Sequence, residues 1–181
     1  MRIISGTLKG RNIIAPGNLP VRPTTDFAKS GLFNILNNYF DFETVSVLDL
    51  FCGIGSISFE FASRGARQIT CVDDHLGCVK FIRETAEKFS LPAISTMKAD
   101  AFKYIEQIEK QFDIVFADPP FESPETDRLP DLILEKKMLK KDGWLIVEHQ
   151  SKRKLKSIAE PFQVRKYGNC TFSIYTSPLL S

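Results

Sequence analysis

Residues 45–55 read VSVLDLFCGIG, and this stretch decides the fold. Its first part, VSVLDLF (45–51), places apolar residues on both faces of an extended chain, which is typical of a strand buried in a parallel sheet. Gly53 and Gly55 follow directly and favour a tight turn. The next segment, ISFEFASRG (57–65), has a helical composition and ends in glycine. The stretch therefore predicts a buried strand, a glycine turn and a helix.

Strands and helices alternate along the rest of the chain. Apolar runs predict strands at 68–73, 93–100, 112–121 and 143–150. The segments between them predict helices at 76–89, 101–110 and 131–139. The closing residues 162–176 predict two more strands around a Gly-Asn turn. This alternation predicts an α/β fold with a doubly wound, mostly parallel seven-stranded sheet, in which at least one terminal strand is antiparallel.

The start of the chain departs from this pattern. Glycines and prolines break residues 1–21 into short apolar pieces, so they predict a small β-hairpin extension ahead of a main domain spanning 22–181. The chain length of 181 residues suits one ordinary domain with a sizeable core.

A polar loop, RPTTD (22–26), connects the extension to the first predicted helix. Thr24, Thr25 or Asp26 could cap that helix, whose apolar positions begin at Phe27. Arg22 could bind a phosphate or a carboxylate, and it could equally be a solvated side chain.

The first candidate site is the glycine turn with its flanking carboxylates. Asp49 lies on the buried strand just before the turn, and Asp73 ends the next predicted strand, 20 residues after Gly53. Glycines let the backbone approach a ligand closely, and a carboxylate at the second strand end can accept hydrogen bonds from a ribose diol. The pattern predicts a nucleoside-containing ligand; a tight turn without a ligand is the alternative.

Two residues favour S-adenosylmethionine (SAM) over a nicotinamide dinucleotide. Ser58 stands where a dinucleotide fingerprint would have its third glycine. Asp49 would repel a pyrophosphate in the turn, whereas it would attract the ammonium group of SAM. Asp100 ends the third strand and could accept the adenine amino group, with Phe102 as a stacking wall; alternatively Asp100 only caps the following helix.

The second candidate site is Asp118-Pro119-Pro120-Phe121, at the end of the fourth strand. Two prolines make the turn rigid, which aims the Asp118 carboxylate and the Pro119 carbonyl at one point. Two acceptors that hold the hydrogens of an aromatic amine would expose its lone pair to a methyl donor. Phe121 could stack on an extruded base. A proline-rich turn with a satisfied Asp is the alternative. Glu148 ends the fifth strand and could face the base or be solvated.

Cysteine and histidine usage limits the chemistry. The four Cys form no CxxC pair and there are two His, so no metal site is predicted. Methylation of a pyrimidine carbon needs a covalent thiolate, and no Cys is placed as a nucleophile, which favours a nitrogen acceptor. The chain lacks a signal peptide and a membrane-spanning run, so a cytoplasmic protein with reduced thiols and no membrane contact is expected.

Charge is unevenly distributed although the net charge is only +2. Residues 1–30 hold five basic side chains and one acid, and residues 136–166 hold ten bases and three acids. Residues 31–135 hold nine bases and eighteen acids. If the two basic segments meet, they form a positive surface beside the pocket, which suits nucleic acid; solvated Lys faces are the alternative.

Several motifs together resemble the bacterial family of 16S ribosomal RNA methyltransferases that modify a guanine N2. They are, in chain order, MRIISGTLKGR, RPTTD, GLFNIL, VLDLFCGIG, SRGA, ADPPF, VEH and the closing YG…T…IY. The resemblance implies a Rossmann-like class I SAM-dependent methyltransferase acting on ribosomal RNA of the small subunit. Asp73 stands where Glu is usual in that family, and the segment 122–130 is shorter than is common.

The resemblance extends the set of candidate site residues, and we expect a monomer. The predicted cofactor contacts are Asp49, Phe51, Gly53, Gly55, Asp73, Asp74, Asp100, Ala101 and Phe102. The predicted catalytic residues are Asp118, Pro119, Pro120 and Phe121. The predicted substrate contacts are Arg22, Thr24, Thr25 and Phe121. Adenine-N6 methylation and a SAM-binding assembly factor without catalysis are the other functions considered.

Overall fold

Seven strands form one sheet in the computed structural model, which describes residues 1–19, 24–120 and 123–177. The strands are β1 (Ser46–Leu50), β2 (Gln68–Asp73), β3 (Ile94–Lys98), β4 (Phe112–Ala117), β5 (Leu139–Gln150), β6 (Gln163–Tyr167) and β7 (Cys170–Thr176). Their order is β3-β2-β1-β4-β5-β7-β6. The first five strands pair in parallel and β7 pairs antiparallel with β5 and β6, which confirms the predicted doubly wound sheet.

Five helices accompany the sheet in the described ranges. They are α1 (Asp26–Leu36), α2 (Ser56–Ser63), α3 (Leu76–Lys88), α4 (Ala101–Gln107) and α5 (Leu129–Glu135). Short 3-10 turns occur at Phe42–Thr44 and Pro124–Arg128. Thr25 is the N-cap of α1, and its side-chain oxygen accepts a hydrogen bond from the Ala28 N–H (3.2 Å). No helix in the described part of the chain is long and apolar enough to cross a bilayer.

The register of the sheet aligns the strand ends that matter for function. Leu50 of β1 is level with Val72 of β2 and with Ala117 of β4, and Ala117 is level with Val147 of β5. The next residue of each strand therefore emerges at the same edge of the sheet. Because all four strands are parallel, this edge is the one where ligands bind in doubly wound folds.

Both faces of the central strands are buried. Ile114 and Ile146 pack on one face with the N-terminal segment and with helices α1, α2 and α3. Val115 and Leu145 pack on the opposite face with α4 and α5. Each fully buried side chain of this size contributes about 1.5–3 kcal/mol through removal from water. The two cores hold the strand ends in fixed positions, which a site on several strands requires.

The N-terminal segment forms a hairpin-like loop without regular strands. A single antiparallel bridge joins Arg2 to Asn12, so the predicted short strands are not formed within the described residues. The side chain of Glu60 on α2 accepts hydrogen bonds from the Ile4 N–H (2.8 Å) and the Ser5 N–H (3.0 Å). The segment is thus hydrogen-bonded to α2 instead of to a long partner strand. The proposed domain boundary at residue 21 lies outside the described residues and stays a prediction.

The position of Lys29 shows that not all basic residues of the N-terminal segment can form the positive surface that the charge distribution had predicted. Its side chain is fully buried, and its ammonium donates to the Arg2 carbonyl (2.6 Å) and pairs with Glu60 (3.7 Å). Burial lowers the pKa of Lys29. Arg2 itself pairs with Asp26 (3.1 Å). Lys29 therefore joins the N-terminal segment, α1 and α2 and cannot contribute to a binding surface.

Candidate active site

One cavity of about 1220 Å³ opens at the carboxyl edge of β1, β2, β4 and β5. The glycine turn after β1 lines one side, and Asp118, Pro119 and Pro120 after β4 line another. The two constellations found in the sequence therefore share a single cavity. Its volume exceeds the range of about 300–1,000 Å³ that is usual for a single small-molecule ligand, so it has room for a cofactor and for part of a second substrate.

The glycine turn has a backbone that few residues can adopt. Phe51, Gly53 and Gly55 all have positive φ angles, of 58°, 52° and 75°. A Cβ atom added at Gly55 would lie 3.0 Å from the Ile82 side chain of α3. The turn thus packs tightly against α3 on one side. On the other side Gly53 lines the cavity, and α2 starts at Ser56.

Asp49 is a buried carboxylate at the floor of the cavity. It is 1% exposed, and the Ser58 hydroxyl donates a hydrogen bond to its Oδ2 (2.5 Å). Burial raises the pKa of Asp49 to about 7, and the nearby charges of Asp73 and Glu148 act in the same direction. Ser58, which replaces a third glycine in the motif, therefore has a defined role: it orients Asp49.

Asp73 connects the end of β2 to the glycine turn. Its Oδ2 accepts the Gly53 N–H (2.8 Å), and its Oδ1 accepts the His75 N–H (2.9 Å). A carboxylate oxygen has two acceptor positions, so Asp73 retains capacity for a ligand diol.

Asp100 and two aromatic rings lie at the same end of the cavity. Asp100 caps α4 by accepting the Lys103 N–H (2.9 Å), and it also lines the cavity. The helix cap is thus observed, and the contact with an adenine amino group stays a prediction. Phe51 and Phe102 contact edge to face, with 5.8 Å between ring centroids, and both line the cavity. The two rings form an apolar wall next to the Asp100 carboxylate. A flat heterocycle with an amino group would find there an apolar surface for its ring and an acceptor for its amine.

Asp118 emerges from β4 into the cavity. Its backbone N–H donates to the Leu50 carbonyl (3.3 Å), which fixes it beside the end of β1. Burial raises the pKa of the Asp118 carboxyl well above its usual range, and the charges of Glu148 and Asp49 raise it further. The Pro120 carbonyl accepts the Ser123 N–H (3.1 Å), which holds the turn after Pro120.

Glu148 is a buried cavity residue, and the sequence left its role open. It is 5% exposed, lines the cavity and follows Val147 of β5. The Thr24 hydroxyl donates to its Oε2 (2.8 Å) and the Cys170 thiol donates to its Oε1 (3.2 Å). Burial raises the pKa of Glu148. The signal in the sequence was an acidic residue at the end of the apolar run GWLIVE.

The cavity is strongly acidic. Asp49, Asp118 and Glu148 line its floor, and Lys152 is the one Lys or Arg among the described residues that line it. Carboxylates in a partly desolvated space attract cations and hydrogen-bond donors and repel phosphate. The geometry therefore disfavours a pyrophosphate ligand. Among the described residues no group of His, Cys, Asp and Glu is arranged to hold a metal ion.

An aromatic pair stands at the mouth of the cavity. Phe27 is 70% exposed, and its ring meets Tyr167 edge to face with 5.6 Å between centroids. Both residues line the cavity. Gly31 makes room for Tyr167, since a Cβ atom there would lie 2.1 Å from its ring. The sequence had predicted Phe27 as part of the apolar face of α1, and it is instead presented to solvent.

Comparison with known proteins identifies the family. The family model described as "Conserved hypothetical protein 95" matches residues 1–176. The chain belongs to this family. Two relatives of the chain are informative. "Putative rRNA methyltransferase YlbH" of Bacillus subtilis is 32% identical, over 97% of this chain and 98% of that protein. "Ribosomal RNA small subunit methyltransferase D" of Haemophilus influenzae is 30% identical, over 86% of this chain and 81% of that protein.

A solved structure adds the fold comparison. An RNA methyltransferase from Salinibacter ruber in complex with S-adenosyl-L-homocysteine superposes with a TM-score of 0.67, covering 87% of this chain and 95% of that chain at 17% identity. The predicted class I SAM-dependent methyltransferase fold is thereby confirmed. The motifs of the chain resemble those of bacterial small-subunit rRNA methyltransferases, and the family match and the two named relatives confirm this resemblance.

The structure brings most predicted site residues of this family member to one cavity. Gly55 shapes the turn and does not itself line the cavity, whereas Arg22 and Phe121 lie outside the described residues. Glu148 and Phe27 line it without having been predicted as site residues. The predicted residues that line it are Thr24, Thr25, Asp49, Phe51, Gly53, Asp73, Asp74, Asp100, Ala101, Phe102, Asp118, Pro119 and Pro120.

Proposed function

We propose that this chain transfers a methyl group from SAM to the exocyclic N2 of a guanine in small-subunit (16S) ribosomal RNA. The observation that carries the proposal is the single acidic cavity shared by the glycine turn and the Asp118-Pro119-Pro120 turn. The names of its relatives support ribosomal RNA as the substrate. A cytoplasmic location and a monomeric state stay predictions.

The cofactor end of the cavity fits SAM in its charge and in its groups. When bound, SAM supplies an electrophilic methyl group on a sulfonium centre. Asp49 would hold its ammonium group, because this buried carboxylate has no cationic partner among the described residues and a cationic ligand would compensate its charge. Asp73 would accept from the ribose hydroxyls, and Asp100 with Phe102 would hold the adenine.

The Asp118 end of the cavity fits an aromatic amine. The amine lone pair is delocalised into the ring, so the amine is a weak nucleophile. The Asp118 carboxylate and the Pro119 carbonyl would each accept one amine hydrogen, which favours a pyramidal nitrogen with an exposed lone pair. The Asp118 carboxylate would also take the proton that the nitrogen loses as the N–C bond forms and S-adenosylhomocysteine leaves. Both acceptors belong to a rigid turn, so little reorganisation is needed in the transition state.

RNA would reach the cavity through the aromatic mouth. A base must leave its stack to enter the cavity, which costs a few kcal/mol and least in single-stranded RNA. Phe27 presents an exposed ring there, and stacking on an aromatic ring contributes about 1–3 kcal/mol per base. Lys152 at the same rim would contact phosphate.

Incubation with labelled SAM tests the proposal directly. The substrates are small ribosomal subunits from cells lacking the gene, naked ribosomal RNA and DNA, and the product is digested to nucleosides for mass spectrometry. We expect label in RNA as N2-methylguanosine. Label as N6-methyladenosine, or label in DNA or in small molecules alone, would refute the proposal.

Affinity for SAM should fall as the pH is lowered through neutrality. Burial raises the pKa of Asp49 to about 7, so this side chain gains a proton between about pH 8 and pH 6. A neutral Asp49 no longer attracts the cation, and linkage then gives a rise in Kd of about tenfold per pH unit below the pKa. Calorimetric titration across this range measures the effect. A Kd that does not change with pH would show that Asp49 is not a contact of the cofactor.

Replacing Phe27 with alanine should weaken RNA binding without affecting the cofactor. Loss of one stacking contact of about 1–3 kcal/mol corresponds to an increase in KM for the RNA of about 5- to 150-fold. The Kd for SAM should be unchanged, since Phe27 lies at the mouth. Replacing Tyr39, another exposed aromatic residue outside the cavity lining, is the matched control and should leave KM unchanged. Equal effects of both substitutions would exclude a specific stacking role.

A further inference from the structure

We propose that Glu148 selects guanine over adenine by accepting a hydrogen bond from the ring N1–H of the base. The inference rests on the proposed function and assigns to one residue the choice of base within it. An acidic turn of the Asp118 type can hold the amine of either purine, so the choice must come from a neighbouring group. Glu148 is the described side chain whose position and hydrogen bonds suit that task.

The sheet places Glu148 beside Asp118. Ala117 of β4 and Val147 of β5 are paired in parallel register, and Asp118 and Glu148 are the residues that follow them. Neighbouring strands lie about 4.8 Å apart, and residues at one level of a parallel pair point to the same face. Both side chains line the cavity. A base whose amine is held by Asp118 therefore has its adjacent ring edge near Glu148.

Two donors hold the Glu148 carboxylate as an acceptor. The Thr24 hydroxyl donates to Oε2 (2.8 Å) from a residue 124 positions away, and the Cys170 thiol donates to Oε1 (3.2 Å) from β7. Each carboxylate oxygen can accept a second hydrogen bond, so one acceptor position per oxygen is still available to a ligand. Burial raises the pKa of Glu148, and these two hydrogen bonds act against that effect. The ionised carboxylate accepts hydrogen bonds and cannot donate, and a base that donates its N1–H would favour this form further.

The two purines differ at the ring atom next to the amine. In guanine this atom is N1–H, a donor; in adenine it is N1, an acceptor. An ionised carboxylate attracts the donor and repels the acceptor, and a buried group left without its partner adds a penalty. Enzymes that extrude a base read this edge by hydrogen bonding. Glu148 thus both favours guanine and disfavours adenine.

Substrate analogues test this role separately from the proposed function. The target guanosine, once mapped by mass spectrometry of the wild-type product, is replaced in the RNA by 2-aminopurine ribonucleoside. This analogue keeps the amine at position 2 but has an unprotonated N1. We expect the wild-type enzyme to methylate it about 100-fold more slowly than guanosine, measured as kcat/KM. In the Glu148→Ala variant, kcat/KM for guanosine should fall by about the same factor. The preference for guanosine over the analogue should then nearly vanish.

Control variants separate recognition from structure. Glu148→Gln keeps the shape and one acceptor oxygen, so part of the preference should remain. Glu125→Gln makes the same charge change at an exposed position on the rim and should leave the preference unchanged. The proposal is overturned if the wild-type enzyme accepts both substrates equally, or if Glu148→Ala slows both equally with an unaltered ratio. A methylated adenosine in the mapping experiment would instead refute the proposed function itself.

Discussion

Replacing Asp118 with alanine should lower kcat for methyl transfer to RNA by about 1000-fold. Removing one preorganised hydrogen-bonding group at the site of charge development costs about 100- to 1000-fold in other enzymes. Asp118 also orients the amine, so we expect the upper end of that range. Asp118 follows β4, whereas Asp73 ends β2 and Asp100 follows β3 on the other side of β1, so the Kd for SAM should change only a few-fold.

The matched control for this prediction is Asp118→Asn. Asparagine keeps one acceptor oxygen at nearly the same position, so we expect a smaller loss, of about 10- to 100-fold. Single-turnover kinetics with saturating SAM and small subunits measure both variants, because they isolate the transfer step from product release. An alanine variant with near wild-type kcat would show that the Asp118 carboxylate does not hold the amine.

Replacing Asp49 with asparagine should weaken cofactor binding and stabilise the protein without cofactor. Loss of a buried charge partner costs about 2–5 kcal/mol in binding, so Kd for SAM should rise by about 30- to 5,000-fold. The pKa of Asp49 is raised to about 7 in the fold, above its unfolded value near 3.8. The stability that depends on its protonated form is therefore present at low pH and is lost as pH rises through about 7. Asparagine carries no charge and avoids this loss.

Thermal unfolding near pH 8 without SAM measures the second effect. In a protein of this size each kcal/mol corresponds to about 2–4 °C in Tm, so Asp49→Asn should raise Tm by several degrees. Asp113→Asn is the matched control, for which we expect the opposite change in Tm. Hydrogen bonds from Lys140 (2.7 Å) and Ser46 lower the pKa of Asp113, so its ionised form stabilises the fold. Asp113→Asn should therefore have a lower Tm and an unchanged Kd for SAM. A lower Tm for Asp49→Asn would contradict the claim that the ionised Asp49 destabilises the protein without cofactor.

Local sequence patterns were sufficient to predict the fold and the position of the cavity. Strands β1 and β4 are short apolar runs followed by glycine or proline, so their ends could be located to within a few residues. The carboxyl ends of parallel strands meet at one edge of a sheet. Two strand-end motifs that are more than 60 residues apart in the sequence could therefore be assigned to the same cavity before any coordinates were known.

Side chains whose environment depends on distant contacts could not be predicted in this way. Glu148 has the sequence context of a solvated strand end, and its burial depends on Thr24 and Cys170, which approach it from the segment before α1 and from β7. Lys29 has the spacing of a surface residue on α1, and its burial depends on Glu60 and the N-terminal segment. Neither contact leaves a local pattern, because the partners are far apart along the chain.

The most direct test of the central claim is a map of modified nucleotides in small-subunit ribosomal RNA from three strains. The first contains the gene, the second lacks it, and the third lacks it but expresses Asp118→Ala. We predict one N2-methylguanosine in the first strain and its absence in the other two. A deletion strain with unchanged N2-methylguanosine, or full methylation by the Asp118→Ala variant, would contradict the claim that this turn holds a guanine amine for methylation.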